Sequence, residues 1–344
     1  MTTYPPPQRA LRGHRPPRPT ERTVLSAVSL ARLAARLTPR DRWLAHMLYE
    51  HRVLTSHQIA QLAFVSHRAA NLRLLELYKS RVVERFQPFV TSGTAPMHYV
   101  LDIAGARLLP PDAGTVRFRQ DEALAIAQSL QLTHLVGSNS LFTALVARAR
   151  HPATTGELTA WWSESRCRRY FGDLARPDGY GRWREGDREV EWFLEHDTGT
   201  EAPAKVADKV PGYAALAATT RIATPILFWL PTARREGATR RALLTARARV
   251  ANPQQVPIAT TNAGYPPKTD RPDPTTRRWL PLESPAGSHR YRLADLPAAW
   301  PELRPLRPDT ATTPSASVNG SPPPHPMPPP ATSPGEGETP CSRA

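Results

Sequence analysis

The chain has 344 residues and a formal net charge of +15, with a pI near 10.6. That is long enough for two modest domains and basic enough to favour a polyanionic partner such as nucleic acid. Two cysteines, Cys167 and Cys341, exclude a disulfide framework and a cysteine-built zinc site. No run approaches the roughly 18 apolar residues of a membrane span, so the expectation is a cytoplasmic protein with no membrane partner.

Residues 1–37 form a basic, Pro- and Arg-rich arm expected to be largely disordered. Residues 38–110 then carry helix signals at regular spacing. Thr38-Pro39 places an N-cap before a proline at the first helical position, ahead of Trp43, Leu44, Met47 and Leu48. Thr55 with Gln58 three residues on makes a capping box for a second helix. Ser66 caps a third, with Leu72, Leu75 and Tyr78 expected inward and His67, Arg68, Asn71 and Arg73 outward. Val82–Phe89 and Met97–Leu101 follow as two strands, and Ala104–Leu109 as a returning helix. Three helices and a hairpin are the order of a winged helix-turn-helix, whose third helix enters the major groove of double-stranded DNA. His67, Arg68, Asn71 and Arg73 are suitable donors to phosphates or base edges.

A second block spans 130–262. Leu132–Arg150 reads as a helix weakened by Gly137. Glu157–Glu164, Gly179–Arg184 and Val190–Asp197 read as strands, Ala204–Ala218 as a helix, and Ala223–Leu230 as a buried strand. Thr232–Val250 reads as a basic helix, with Arg234, Arg235, Arg240 and Arg241 available to phosphates, and Val256–Thr261 as a last strand. Trp161, Trp162, Trp183 and Trp192 fall at strand spacing and are expected in the core. Residues 263–305 are Pro-rich and expected to wrap the surface. Residues 306–344, containing PPPHPMPPP, are expected to be a disordered tail, read first as solvated padding and, as the alternative, as a segment that other replication or conjugation proteins would engage.

Charge is not spread evenly. Residues 151–231 hold 12 acidic against 10 basic side chains, whereas 232–255 hold 6 basic against 1 acidic. The acids gather in "DGYGRWREGDREVEWFLEHDTGTE", residues 178–201, which has the pattern of two strands joined by a Gly-Asp turn. Side chains alternate along a strand, so Glu195 and Asp197 project to one face and His196 to the other. With Asp178 on the neighbouring strand, three carboxylates would converge. Such a cradle suits Mg²⁺ or Mn²⁺, which would polarise a phosphodiester and acidify a water.

This α-β-β-β-α-β order, with Pro177-Asp178 followed by Glu195-His196-Asp197, resembles the restriction-endonuclease-like PD-(D/E)xK nucleases. The resemblance implies that Asp178, Glu195 and Asp197 are catalytic metal ligands. Its usual lysine is replaced by Asp197, leaving Lys205 and Lys209 as substitutes, two of only four lysines in the chain. Lys209 is preferred because it lies one turn before Tyr213. The whole, through "LTPRDRWLAHMLYEHRVLTSHQIAQLAF", "HYVLDIAGARLL" and "RPDGY…WFLEHDTGTE…K…Y", resembles the replication-relaxation family of plasmids and integrative elements over about residues 38–231. The expected fold is a two-domain α+β or α/β chain, a winged helix-turn-helix followed by a nuclease-like αβββαβ core, with Pro-rich tails. Two functions follow: a DNA-binding protein of replication or conjugal processing that nicks DNA with a divalent ion, or a non-enzymatic regulator of transcription or copy number with a degenerate nuclease-like domain.

Overall fold

The computed structural model describes residues 14–15 (backbone), 20–90, 93–109, 118–266, 272–285, 287–303 and 322–330. Among them are eleven α-helices and two sheets, of four and six strands, a mixed α and β architecture. The first element, β1 (His14–Arg15), pairs antiparallel with a later strand. Helix α1 (Ala27–Arg36) follows, started by Ser26 and Ser29, whose side chains each accept the other's backbone N–H. Arg22 donates to the Glu84 carboxylate at 2.6 Å and the Tyr78 carbonyl at 3.1 Å, and also pairs with Asp102. The expectation of a largely disordered arm over residues 1–37 is therefore corrected at 14–15 and 20–37; the rest of the arm lies outside the described residues.

Helix α2 (Pro39–His51) is capped by Thr38 and α3 (Ser56–Ala63) by Thr55, both through reciprocal boxes, with Asp41 and Gln58 returning the bond. Ser66 caps α4 (His67–Lys79). Strand β2 (Leu54–Thr55) pairs with β4 (His98–Leu101), which pairs with β3 (Val83–Pro88) from Val83↔Leu101 to Phe86↔His98. The order is β1-β3-β4-β2, and α5 (Ile103–Leu108) returns behind it. One inward assignment on α4 is overturned. Ala70, Leu74, Leu77 and Tyr78 are buried, whereas Leu72 is 60% exposed, because the i, i+4, i+7 stripe begins at Ala70.

Helices α6 (Gln120–Ala125) and α7 (Leu132–Ala149) lead into the six-stranded sheet. Its strands are β5 (Gly156–Ser163), β6 (Gly179–Glu185), β7 (Arg188–His196), β8 (Ile226–Leu230), β9 (Ile258–Asn262) and β10 (Leu280–Pro281). Strands β5, β6 and β7 are antiparallel; β7, β8 and β9 run parallel; β10 closes the edge antiparallel to β9. Gly186 at φ +64° begins the two-residue turn between β6 and β7, a left-handed position glycine occupies without a Cβ clash. Helix α8 (Glu164–Phe171), unforeseen in the sequence, lies between β5 and β6. The helix expected over 204–218 divides into α9 (Pro203–Ala207) and α10 (Val210–Thr220), as Pro211 removes an N–H where the chain breaks. Helix α11 (Ala233–Arg247) completes the set.

Strand alternation sorts the core. Trp161, Trp183, Trp192, Leu194 and Trp229 face one way and pack with Phe142 and Leu145 of α7, in one cluster with the N-terminal block. Trp162, Phe193, Phe228 and Ile258 face the other way, with Tyr213 of α10 and Leu243 of α11. The four tryptophans at strand spacing are thus buried core, as expected. Polar side chains weld the two blocks. Gln58 donates to the Val136 carbonyl at 2.9 Å and Ser140 at 3.0 Å, and Asn139 donates to the Val53 carbonyl at 2.9 Å. Arg166 of α8 holds Glu50 of α2 at 2.7 and 2.9 Å, and Ser163 caps α8 while donating to the same carboxylate at 2.8 Å.

The segment 263–305 does not merely wrap the surface. Trp279 is fully buried and its indole donates to the Pro274 carbonyl at 2.8 Å. Buried Arg240 of α11 donates to the carbonyls of Leu280, Pro281, Leu282 and Ser284 at 2.7–3.1 Å and to Thr260 at 3.0 Å. One guanidinium thereby supplies the partners that an irregular backbone needs when buried. Arg240 is a strut of the sheet edge rather than a phosphate contact.

Candidate functional site

Strand β7 ends where α7 covers one face of the sheet and α10 the other. Asp178 enters the same corner from the residue before β6, its N–H donating to the Leu194 carbonyl at 3.0 Å. Its carboxylate accepts the His196 N–H at 2.7 Å and lies 3.2 Å from His134 Nε2 and 3.7 Å from Lys209 Nζ. Glu195, buried on the α10 face, pairs with Lys209 through one oxygen and accepts the Tyr213 hydroxyl through the other. Asp178, Glu195 and Lys209 are thus brought together. Lys205 is not; it pairs with Glu201 at 2.9 Å and is exposed.

Asp197 shares the Glu195 face but turns away to Arg235 of α11, which holds it at 2.5 and 3.2 Å. Its other partner is the Gly199 N–H at 2.8 Å. The three-carboxylate cradle expected from strand alternation is therefore corrected to two carboxylates. Glu195, in β7, takes Lys209, the residue capping the start of α10, while Asp197, just past the end of β7, takes Arg235 of α11. Among the described residues no group of three or more His, Cys, Asp or Glu is arranged to hold a metal.

His134 and Tyr213 complete the corner. His134 on α7 carried no sequence signal beyond its spacing to Gly137. A Cβ at Gly137 would lie 2.3 Å from the His196 ring, so the glycine lets α7 approach the end of β7. The His196 ring lies on the α7 side of the sheet, opposite Glu195, and packs edge-on against His134, with centroids 5.6 Å apart.

Charges here are strongly interdependent. Burial alone would push the Asp178 carboxyl up, but His134, Lys209 and the His196 N–H overcome it and hold it well below the carboxylate range. Burial, then the Asp178 charge, pushes Glu195 up to about 7 despite Lys209 and Tyr213. Burial disfavours the His134 cation, yet Asp178 raises it to about 9. Lys209 is likewise held charged by Glu195 and Asp178 against the cost of burial. Burial lowers His196 to about 3, leaving it neutral. Because His134 is raised above its ordinary 6.5, its contribution to stability is complete below that pH and is lost as pH climbs through about 9. The expected fall in unfolding free energy between pH 7 and 9.5 is at most about 3 kcal/mol. Urea titrations at stepped pH measure it, and His134→Gln should flatten that limb.

On the N-terminal block His67, Arg68 and Asn71 are exposed along α4. Arg73 is not free alongside them. Its guanidinium grips Asp41 at 2.9 and 2.5 Å, because the capping carboxylate of α2 is buried and requires a cation. On α11 Arg235 is committed to Asp197 and Arg240 to the sheet edge, which leaves Arg234 and Arg241 exposed.

No helix among the described residues is long and apolar enough to cross a membrane. Residues 46–226, more than half of the chain, match the family model described as replication-relaxation. Among curated proteins no match is found.

Proposed function

The chain belongs to the replication-relaxation family, which suggests a role in replication or relaxation, and from that premise we propose that it is a DNA-binding protein of a plasmid or integrative element that nicks DNA. On this reading α2–α4 with β3–β4 are a winged helix-turn-helix and the six-stranded sheet is a PD-(D/E)xK-like core. The observation that carries it is the meeting of Asp178, Glu195 and Lys209 from three separate elements at one strand end. A lysine at the N-cap of α10 would supply the charge that the Glu195-His196-Asp197 tripeptide lacks.

Two hard carboxylates on neighbouring strand ends meet the usual protein contribution to a magnesium site, with water and phosphate filling the remainder. Asp178 and Glu195 would hold the ion, and Lys209 would yield its place against Glu195. The ion would supply polarisation of a phosphodiester oxygen and a more acidic water. The chain's own groups have defined parts. Asp178 stays ionised across the neutral range and would hold the ion together with Glu195, and Lys209 offers an ammonium to phosphate charge.

Supercoiled plasmid incubated with the protein and Mg²⁺ or Mn²⁺ is expected to yield nicked circles, with loss of at least about 100-fold in Asp178→Asn. A protein that shifts DNA in a gel yet leaves it intact with both metals would instead be the non-enzymatic regulator. That second reading is favoured by the Asp197–Arg235 pair, which withdraws one acid from the corner. For the helical block, Arg68→Ala is expected to weaken duplex binding and reduce the salt slope by about 1. Arg73→Ala should mainly reduce stability, since its guanidinium neutralises Asp41. Fluorescence anisotropy at stepped salt, beside thermal melts, separates the two.

A further inference from the structure

Residues 322–330, PPPHPMPPP, carry no helix or strand, yet they sit against the N-terminal block. The Trp43 indole N–H of α2 donates to the His325 carbonyl at 2.7 Å. Pro326 is buried, and Met327 packs on the same apolar cluster that holds Trp43, Leu44 and Met47. The His325 ring nitrogen meets the Met327 N–H at 3.2 Å, which tightens the turn between them.

Seven of these nine residues are proline. Proline has no N–H and a fixed φ, so such a segment offers carbonyl acceptors, flat apolar rings and little entropy to lose. An indole that donates to a carbonyl beside a buried proline is the chemistry by which aromatic grooves take extended proline-rich peptides. We propose that the surface around Trp43 is a binding site for proline-rich peptides, and that residues 322–330 of the same chain are its ligand. Because the ligand belongs to the same chain, its binding is intramolecular and a weak contact suffices to keep it in place. Once that contact is weakened, the surface is open to added peptide.

The chain has four methionines, Met1, Met47, Met97 and Met327, so methyl-labelled methionine gives a readable spectrum of the full-length protein. Met327→Leu assigns the signal. In the wild type the Met327 methyl is expected away from the free-methionine position, at a shift independent of protein concentration. Pro326→Asp, which alters the ligand and spares the folded block, should return it to the free position and leave both Met47 and Met97 away from that position. A peptide of residues 321–331 should then perturb the Trp43 indole N–H of the Pro326→Asp protein at least tenfold more tightly than in the wild type. A wild-type Met327 methyl at the free position, or an indole signal that ignores the peptide in Pro326→Asp, overturns the proposal. A displaced Met327 signal that vanishes on dilution overturns its assignment to the same chain and places the segment on a second copy.

Discussion

Replacing Lys209 with methionine is expected to lower the unfolding free energy by about 2 kcal/mol at pH 8 and by much less at pH 5. Breaking a fully buried pair costs about 3–5 kcal/mol, but the Lys209 side chain is 39% exposed, and water screens part of the loss. Without the ammonium, Asp178 keeps His134 as its cation and Glu195 is left with the Tyr213 hydroxyl alone. Glu195, already raised by burial and by Asp178, then holds its proton to still higher pH. A raised carboxyl stabilises the folded state while protonated and loses that contribution as pH rises through its folded value, so the deficit grows with pH. Denaturant midpoints at both pH values test this directly. A deficit independent of pH would mean that Lys209 and Glu195 are not coupled.

The second large effect belongs to Arg240. Arg240→Met is expected to cost about 3–5 kcal/mol, because several buried carbonyls lose their donor together. Arg240→Lys should recover only part, since an ammonium cannot span carbonyls from Leu280 to Ser284 as the planar fork does. Tryptophan fluorescence during urea unfolding reports the change through Trp279, which lies next to this edge. An early, separate transition in Arg240→Met would show that β10 and the segment after it detach before the sheet.

What could be read in the sequence were the features written locally. Thr38-Pro39, Thr55 with Gln58, and Ser66 announce helix starts because a cap needs only neighbours three residues away. The Gly186-Asp187 turn and the alternation of β7 place Glu195 and His196 on opposite faces for the same reason. The spacing of Lys209 and Tyr213 put both on Glu195. The misses share the opposite property. Arg73, Arg235 and Arg240 read as donors available to nucleic acid, yet each finds an acceptor within the chain on a different element, 20 or more residues away. His134 is an ordinary helix residue until α7 meets β7 across Gly137. The segment around Trp279 has no periodicity to detect, because a guanidinium and a short edge strand, rather than repeated backbone pairing, satisfy it.

The seam formed by Gln58, Asn139, Glu50 and Arg166 bears on more than stability. It joins α2 and α3 to α7 and α8 with buried side chains, so that among the described residues direct contacts tie the block carrying α4 to the block carrying the corner at Asp178. If α4 reads a duplex, the corner meets the strand at a set number of base pairs from the sequence recognised. The seam would then act as a ruler, and loosening it with Arg166→Met should blur the position of any break rather than move it.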